Sequence, residues 1–130
     1  MASSVVETHA RRGEIGVLTL TVTFHTDGTF TSTAIDEEIS GELLALETNP
    51  GSPAPTANYD ITITDEDGLD VLHGVGANRH TTDAEKVAVV FGTYFHPPVH
   101  QSDTLTLTIA GQSVASAITV IKLYYRGTNG

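Results

Sequence analysis

The segment Val17–His25 constrains the fold more than any other part of the chain. Leu18, Leu20, Val22 and Phe24 alternate there with Thr19, Thr21, Thr23 and His25. A period of two places the apolar set on one face and the polar set on the other, which is the pattern of a half-buried antiparallel strand. The alternation returns where Tyr59, Ile61 and Ile63 interleave with Asp60, Thr62 and Thr64, and where Leu105, Leu107 and Ile109 interleave with Thr104, Thr106 and Thr108. Asp27-Gly28 follows the first of these segments, and Thr29–Ala34 resumes in β-prone residues, so a hairpin is expected there. Lys86–Phe95 and Ala117–Tyr125 are apolar at both alternating sets, as in strands covered on both sides or meeting a neighbouring subunit. Ile35, Ile39, Leu43 and Leu46 also fit a helical stripe behind Asp36 as a cap. Gly41 weakens such a helix, and Ile39–Glu47 is read as a strand with a short helix as the competing reading.

The connections support the same class. Asn49–Thr56 is a proline-rich crossing, Gly74–Asp83 is a long stretch poor in apolar residues, and His96-Pro97-Pro98 interrupts the pattern again. Turn chemistry at spacings of about ten residues predicts an all-β chain, a single antiparallel β-sandwich or β-barrel of roughly seven or eight strands. At 130 residues one domain is expected. Residues 1–13 are read as a short N-terminal arm, 14–127 as the β-domain and 128–130 as a C-terminal tail.

Charge and composition narrow the function classes. Six Lys plus Arg against 16 Asp plus Glu give a formal charge of -10, the wrong sign for a surface that neutralises phosphates. Direct nucleic-acid binding is therefore not expected. No apolar run approaches the roughly 20 residues that span a bilayer, so no membrane partner is expected either. The absence of a signal-peptide-like apolar stretch before the first strand predicts a cytoplasmic protein or one released by lysis. Cysteine is absent, which removes disulfides, thiolate catalysis and zinc-thiolate sites.

Few residues suggest chemistry. Asp65-Glu66-Asp67-Gly68-Leu69-Asp70 is the densest acidic cluster, and Asp65, Asp67 and Asp70 are candidate ligands for a hard cation. The spacing lacks the third acidic position and distal glutamate of a calcium-binding helix-loop-helix, and a hairpin turn built on Asp67-Gly68 is the favoured reading. His96 and His100 stand four apart, but Pro97-Pro98 forbids the helix that would align them on a metal. No nucleophile elbow, phosphate-cradling glycine loop or distinguished carboxylate pair appears, and aromatic residues are 6% with no Trp. Neither catalytic residues nor a cofactor are expected. Arg11 and Arg12 stand out in an acidic chain as candidate anchors on a carboxylate-bearing partner. Tyr124 and Tyr125 are candidate contact residues on the last strand.

The stretch from Gly41-Glu42-Leu43-Leu44 through Thr48-Asn49-Pro50-Gly51, then Pro55–Leu72 with its core Tyr59–Leu72 (YDITITDEDGLDVL), and then Gly74–Arg79, resembles a family of small tailed-bacteriophage proteins. In that family a proline-containing loop follows, then a strand like Leu105–Ala110 and a terminal strand ending like Leu123-Tyr124-Tyr125-Arg126-Gly127. The resemblance covers Gly41–Gly127, with departures at His73 and in the histidine-bearing loop Tyr94–His100. It implies a non-enzymatic virion structural protein on the capsid exterior, most similar to capsid decoration (cement) proteins that bind the major capsid protein lattice in many copies and stabilise the head. A homotrimer on capsid three-fold positions would bury the strands that are apolar on both faces. A head-to-tail connector or tail-associated protein is the alternative within the same setting, and a host-surface or glycan-binding module on the virion is a further one.

Overall fold

The computed structural model describes residues 3–90, 96–99 and 104–127. Among these the chain forms nine β-strands and no helix: β1 (Ser4–Arg12), β2 (Ile15–Thr23), β3 (Thr33–Ala34), β4 (Gly41–Pro50), β5 (Asp60–Thr64), β6 (Glu85–Ala88), β7 (Pro98–Val99), β8 (Thr106–Ala110) and β9 (Ile118–Arg126). They make two antiparallel sheets. The large sheet runs β1-β2-β9-β4-β6, with β7 also pairing β4, and the small sheet runs β3-β8-β5. Of the expected all-β sandwich or barrel of roughly seven or eight strands, the sandwich is the architecture observed, with nine strands among the described residues.

Alternation builds the interior as the sequence predicts. Leu18, Leu20 and Val22 of β2 and Ile121, Leu123 and Tyr125 of β9 point inward from the large sheet and meet Ile61, Ile63, Leu107 and Ile109 of the small one. Each is buried, and each branched aliphatic side chain is worth about 1.5–3 kcal/mol of transfer free energy. Phe24, Ile35, Ile39, Tyr59 and Leu72 close the ends of the layer. Tyr59 also places its hydroxyl 2.8 Å from the buried Thr119 hydroxyl, so its polar tip is satisfied where water is absent. The ambiguous segment resolves as a strand: β4 starts at Gly41 and carries a bulge between Leu43 and Ala45, which keeps Leu43 and Leu46 both inward.

Four expectations change. Residues 4–12 are not an arm but a full strand, β1, paired along its length with β2. Gly13-Glu14 closes that hairpin, with Gly13 at φ +59 in the first turn position, as a two-residue turn of the primed type requires. The turn at Asp27-Gly28 forms, with Gly28 donating to the His25 carbonyl at 2.9 Å, but no hairpin follows. Both sides of β2 are already taken by β1 and β9, so the chain crosses to the other sheet and only Thr33–Ala34 pairs there, with β8. Glu85–Ala88 is an edge strand with exposed Lys86 and Ala88 rather than one covered on both faces, and positions 91–95 of that expected strand lie outside the described residues. Ile118–Arg126 is inward-buried at alternate positions and half-buried between β2 and β4 at the others, except for the exposed Arg126 at its end.

Candidate docking face

Cross-strand register decides what the large sheet shows to the outside. Residues directly opposite in an antiparallel pair share a face. The outward positions of β1 are Ser4, Val6, Thr8, Ala10 and Arg12, which stand opposite Thr23, Thr21, Thr19, Val17 and Ile15 of β2. Those five stand in turn opposite Ile118, Val120, Lys122, Tyr124 and Arg126 of β9. None of these fifteen positions is an Asp or Glu, in a chain that carries 16 of them, and three hold half of its six cations: Arg12, Lys122 and Arg126.

The face is graded from one end to the other. Arg12, Ile15 and Arg126 form the row nearest the β1–β2 turn, and the next row is Ala10, Val17 and Tyr124. An open depression of about 440 Å³ lies here, lined by Ala10, Arg11, Arg12, Ile15 and Val17. The apolar floor and the outward Arg12 guanidinium suit a carboxylate-bearing segment, since a guanidinium makes paired hydrogen bonds with a carboxylate. Farther along, Val6 is 60% exposed among threonines and Val120. The first acids appear on β4, where Glu42 stands opposite Arg126 and Glu47 opposite Lys122. Glu47 is occupied: Lys86 approaches its carboxylate at 3.4 Å and the Tyr124 hydroxyl donates to it at 3.1 Å. Lys86 also lies 4.3 Å from the centroid of the Tyr124 ring, and the Tyr124 phenol, followed by the Glu47 carboxylate, holds its ammonium above the ordinary lysine value.

The candidate residues of the sequence divide between the two sides of this sheet. Arg12 and Tyr124 face outward. Arg11 and Tyr125 face inward, because neighbours along a strand take opposite faces. Tyr125 is fully buried, so its ring is a core element and not a contact residue. Gly16 sits opposite it, and a Cβ there would come within 2.3 Å of the ring, so the ring occupies the space that a side chain would need.

β1 turns charged residues inward, and each has a tether. The Glu7 carboxylate accepts the backbone N–H groups of Asp36 at 2.8 Å and Glu37 at 2.9 Å. His9 hydrogen-bonds the Tyr125 hydroxyl through Nε2 and faces the Glu37 carboxylate at 3.8 Å through Nδ1. Arg11 donates to the Gly127 carbonyl and lies 5.9 Å from the Tyr125 ring centroid. Burial pushes the Tyr125 phenol above its ordinary value, against an opposing pull from Arg11. With Tyr125 closed to solvent, this chain of contacts works as a clamp that fixes β1 to the sandwich. Sequence reasoning passed over β1 because its inward set is Val5, Glu7, His9 and Arg11, which has the right period without the apolar residues that make a period visible.

The acidic cluster forms the turn that its Asp-Gly pair predicts. Gly68 donates to the Asp65 carbonyl at 3.0 Å, and Thr64 and Asp70 form a bridge beyond it. Asp65 Oδ1 accepts the N–H groups of Asp67 and Leu69, both at 3.0 Å. Asp70 accepts those of Ile63 at 3.2 Å and Leu72 at 3.1 Å through Oδ1, and that of Gly74 at 2.9 Å through Oδ2. These two carboxylates are thus engaged by backbone donors, while Asp67 is exposed. Among the described residues no group of three or more His, Asp or Glu is placed to hold a metal ion. His96 gives its Nδ1 to a 2.7 Å contact with the Val89 carbonyl, and His100 lies outside the described residues. In comparisons with known protein families, curated proteins and solved structures, nothing matches the chain.

Proposed function

We propose that this chain is a non-catalytic structural module of a tailed-phage virion, a decoration protein that seats the outward face of its large sheet on the major capsid protein lattice. The observation that carries the reading is the acid-free face on β1, β2 and β9 of a chain with a net charge of -10. Such a face sets no carboxylate of its own three strands against a partner's, and Arg12, Lys122 and Arg126 attract them. The resemblance of Gly41–Gly127 to small tailed-phage proteins supplies the setting, and the capsid exterior is the location that setting implies. The role asks for no cofactor and no reacting group. Many copies, each bound weakly to the assembled state only, stabilise that state by mass action.

The test is the copy number of the polypeptide in purified virions, measured by quantitative mass spectrometry against the major capsid protein. A ratio near one per capsid subunit, or one per three, supports decoration. Six or twelve copies per particle would replace this reading with a head-to-tail connector, and absence from the virion would end it. Co-sedimentation of the Arg12→Glu/Arg126→Glu variant with capsids lacking the protein then asks whether the proposed face is the one used.

A further inference from the structure

We propose that β1 is a self-pairing edge, through which two copies of this chain join antiparallel about a two-fold axis at Thr8 and fuse their large sheets into one. β1 is nine residues long, ends the sheet order and has a strand on one side only among the described residues. Gly13-Glu14 is a two-residue turn, so Arg12 and Ile15 are the hydrogen-bonded pair that closes the hairpin. Bonding alternates from there, which sends the peptide groups of even-numbered residues toward β2 and those of Val5, Glu7 and His9 toward the open side.

An edge of this length is a template for another strand, and inward-pointing charge is one device that discourages a stray one. Glu7, His9 and Arg11 supply that charge. Read antiparallel about Thr8, however, the same residues complement themselves. Glu7 stands opposite His9 of the second copy and diagonal to both its Arg11 and its Glu7, Val6 stands opposite Ala10, and Thr8 meets Thr8. The register also brings odd residues opposite odd residues, so the open-side peptide groups of the two copies face one another. An axis at Glu7 would stack Glu7 on itself, an axis at His9 would stack His9 on itself, and either would shorten the ladder from nine residues to seven. The edge is thus closed to most strands and matched to its own copy. The two acid-free faces would then run on as a single surface across the axis. This pairing is carried by β1 alone and stands or falls separately from the capsid reading.

The chain has no cysteine, which makes the test direct. In the proposed ladder Thr8 is a non-hydrogen-bonded pair with itself, the position where opposite Cα atoms come to about 4.5 Å, within disulfide reach. Thr8→Cys is expected to form a disulfide dimer under mild oxidation at least tenfold faster than Ala10→Cys, whose symmetry mate is two rows away. Sedimentation equilibrium of the unmodified protein should give a mass of two chains. A monomer or a trimer across the concentration range, or equal cross-linking of the two cysteine variants, would overturn the proposal.

Discussion

The two outward faces of the sandwich are built from the same kinds of residue and differ in charge. On the small sheet, Thr62 stands opposite Thr108 and Thr64 opposite Thr106, and the acids cluster around them: Asp60 in β5 and Asp65, Glu66, Asp67 and Asp70 in the adjoining turn. On the large sheet, Thr8, Thr19, Thr21 and Thr23 share the face with Arg12, Lys122 and Arg126, and β1, β2 and β9 place no acid there. Threonine suits both, since β-branched residues fit a half-buried pleated surface. A net charge of -10 is therefore not a property of the whole surface. The interior fixes which residues point inward, and the outward positions are left free to differ in charge between the two faces.

The comparison can be broken most sharply between adjacent residues of one strand. Leu123→Ala on β9 is expected to cost about 2–5 kcal/mol by leaving a cavity between the sheets, whereas Lys122→Ala should stay within about 0.5 kcal/mol. Chemical denaturation of both variants checks this, and equal losses would mean that the outward face is packed as an interior. Gly16→Val belongs with the large effects. Its side chain needs the space of the Tyr125 ring, and overpacking of this kind costs about 1–3 kcal/mol or more.

Charge reversal separates the two faces next. Arg12→Glu/Arg126→Glu should weaken capsid binding at least tenfold, about 1.4 kcal/mol, while leaving the melting temperature within a few degrees. The matched pair Asp60→Lys/Asp67→Lys on the other side should leave binding unchanged. Loss of binding in the second pair and not in the first would move the docking site to the small sheet.

An effect of similar size, on stability and not on binding, is expected in the acidic turn. Asp70→Ala removes the acceptor of three backbone N–H groups and should cost about 1–3 kcal/mol, because the part-buried donors of Ile63 and Leu72 are left unpaired while that of Gly74 is exposed to water. With the Asp65 and Asp70 carboxylates already engaged, calcium or a chelator should leave the melting temperature unchanged, and a marked rise with calcium would restore the cation reading of Asp65, Asp67 and Asp70. The smallest effect is in pH. Burial raises the phenols of Tyr59 and Tyr125 above their ordinary value near 10. The folded state therefore holds these protons more tightly than the unfolded chain does. The stability they contribute is fully present below about pH 10 and is lost as pH rises through the folded values. Melting temperatures between pH 8 and 12 should fall at the alkaline end. Tyr125→Phe should flatten that fall while costing about 1 kcal/mol at neutral pH through the lost bond to His9.

How much of this was legible in the sequence depends on whether the signal was local. Leu18, Leu20 and Val22, or Ile61 and Ile63, announce an inward face because a period of two is written into consecutive residues. The Asp65–Asp70 turn was legible for the same reason, since Asp67-Gly68 sets its own geometry. β1 was not, because Glu7, His9 and Arg11 are satisfied by Asp36, Glu37, Tyr125 and Gly127, residues far away along the chain. Nor could Tyr124 and Tyr125 be told apart as contact residues. Adjacency on a strand requires that they face opposite ways, and only the position of the second sheet settles which one is buried.

The sequence by itself determined a cysteine-free, all-β chain and most of the residues that fill its interior, because alternation and turn chemistry act over a few neighbouring residues. The tertiary structure alone decided the strand order, the inclusion of β1, and the assembly of Arg12, Lys122 and Arg126 on a face without acids. Those features come from pairing β2, which carries β1 along its other side, with β9, about a hundred residues later. Backbone hydrogen bonds are alike along every strand, so the choice of neighbour rests on how whole faces pack, which no short stretch of sequence contains.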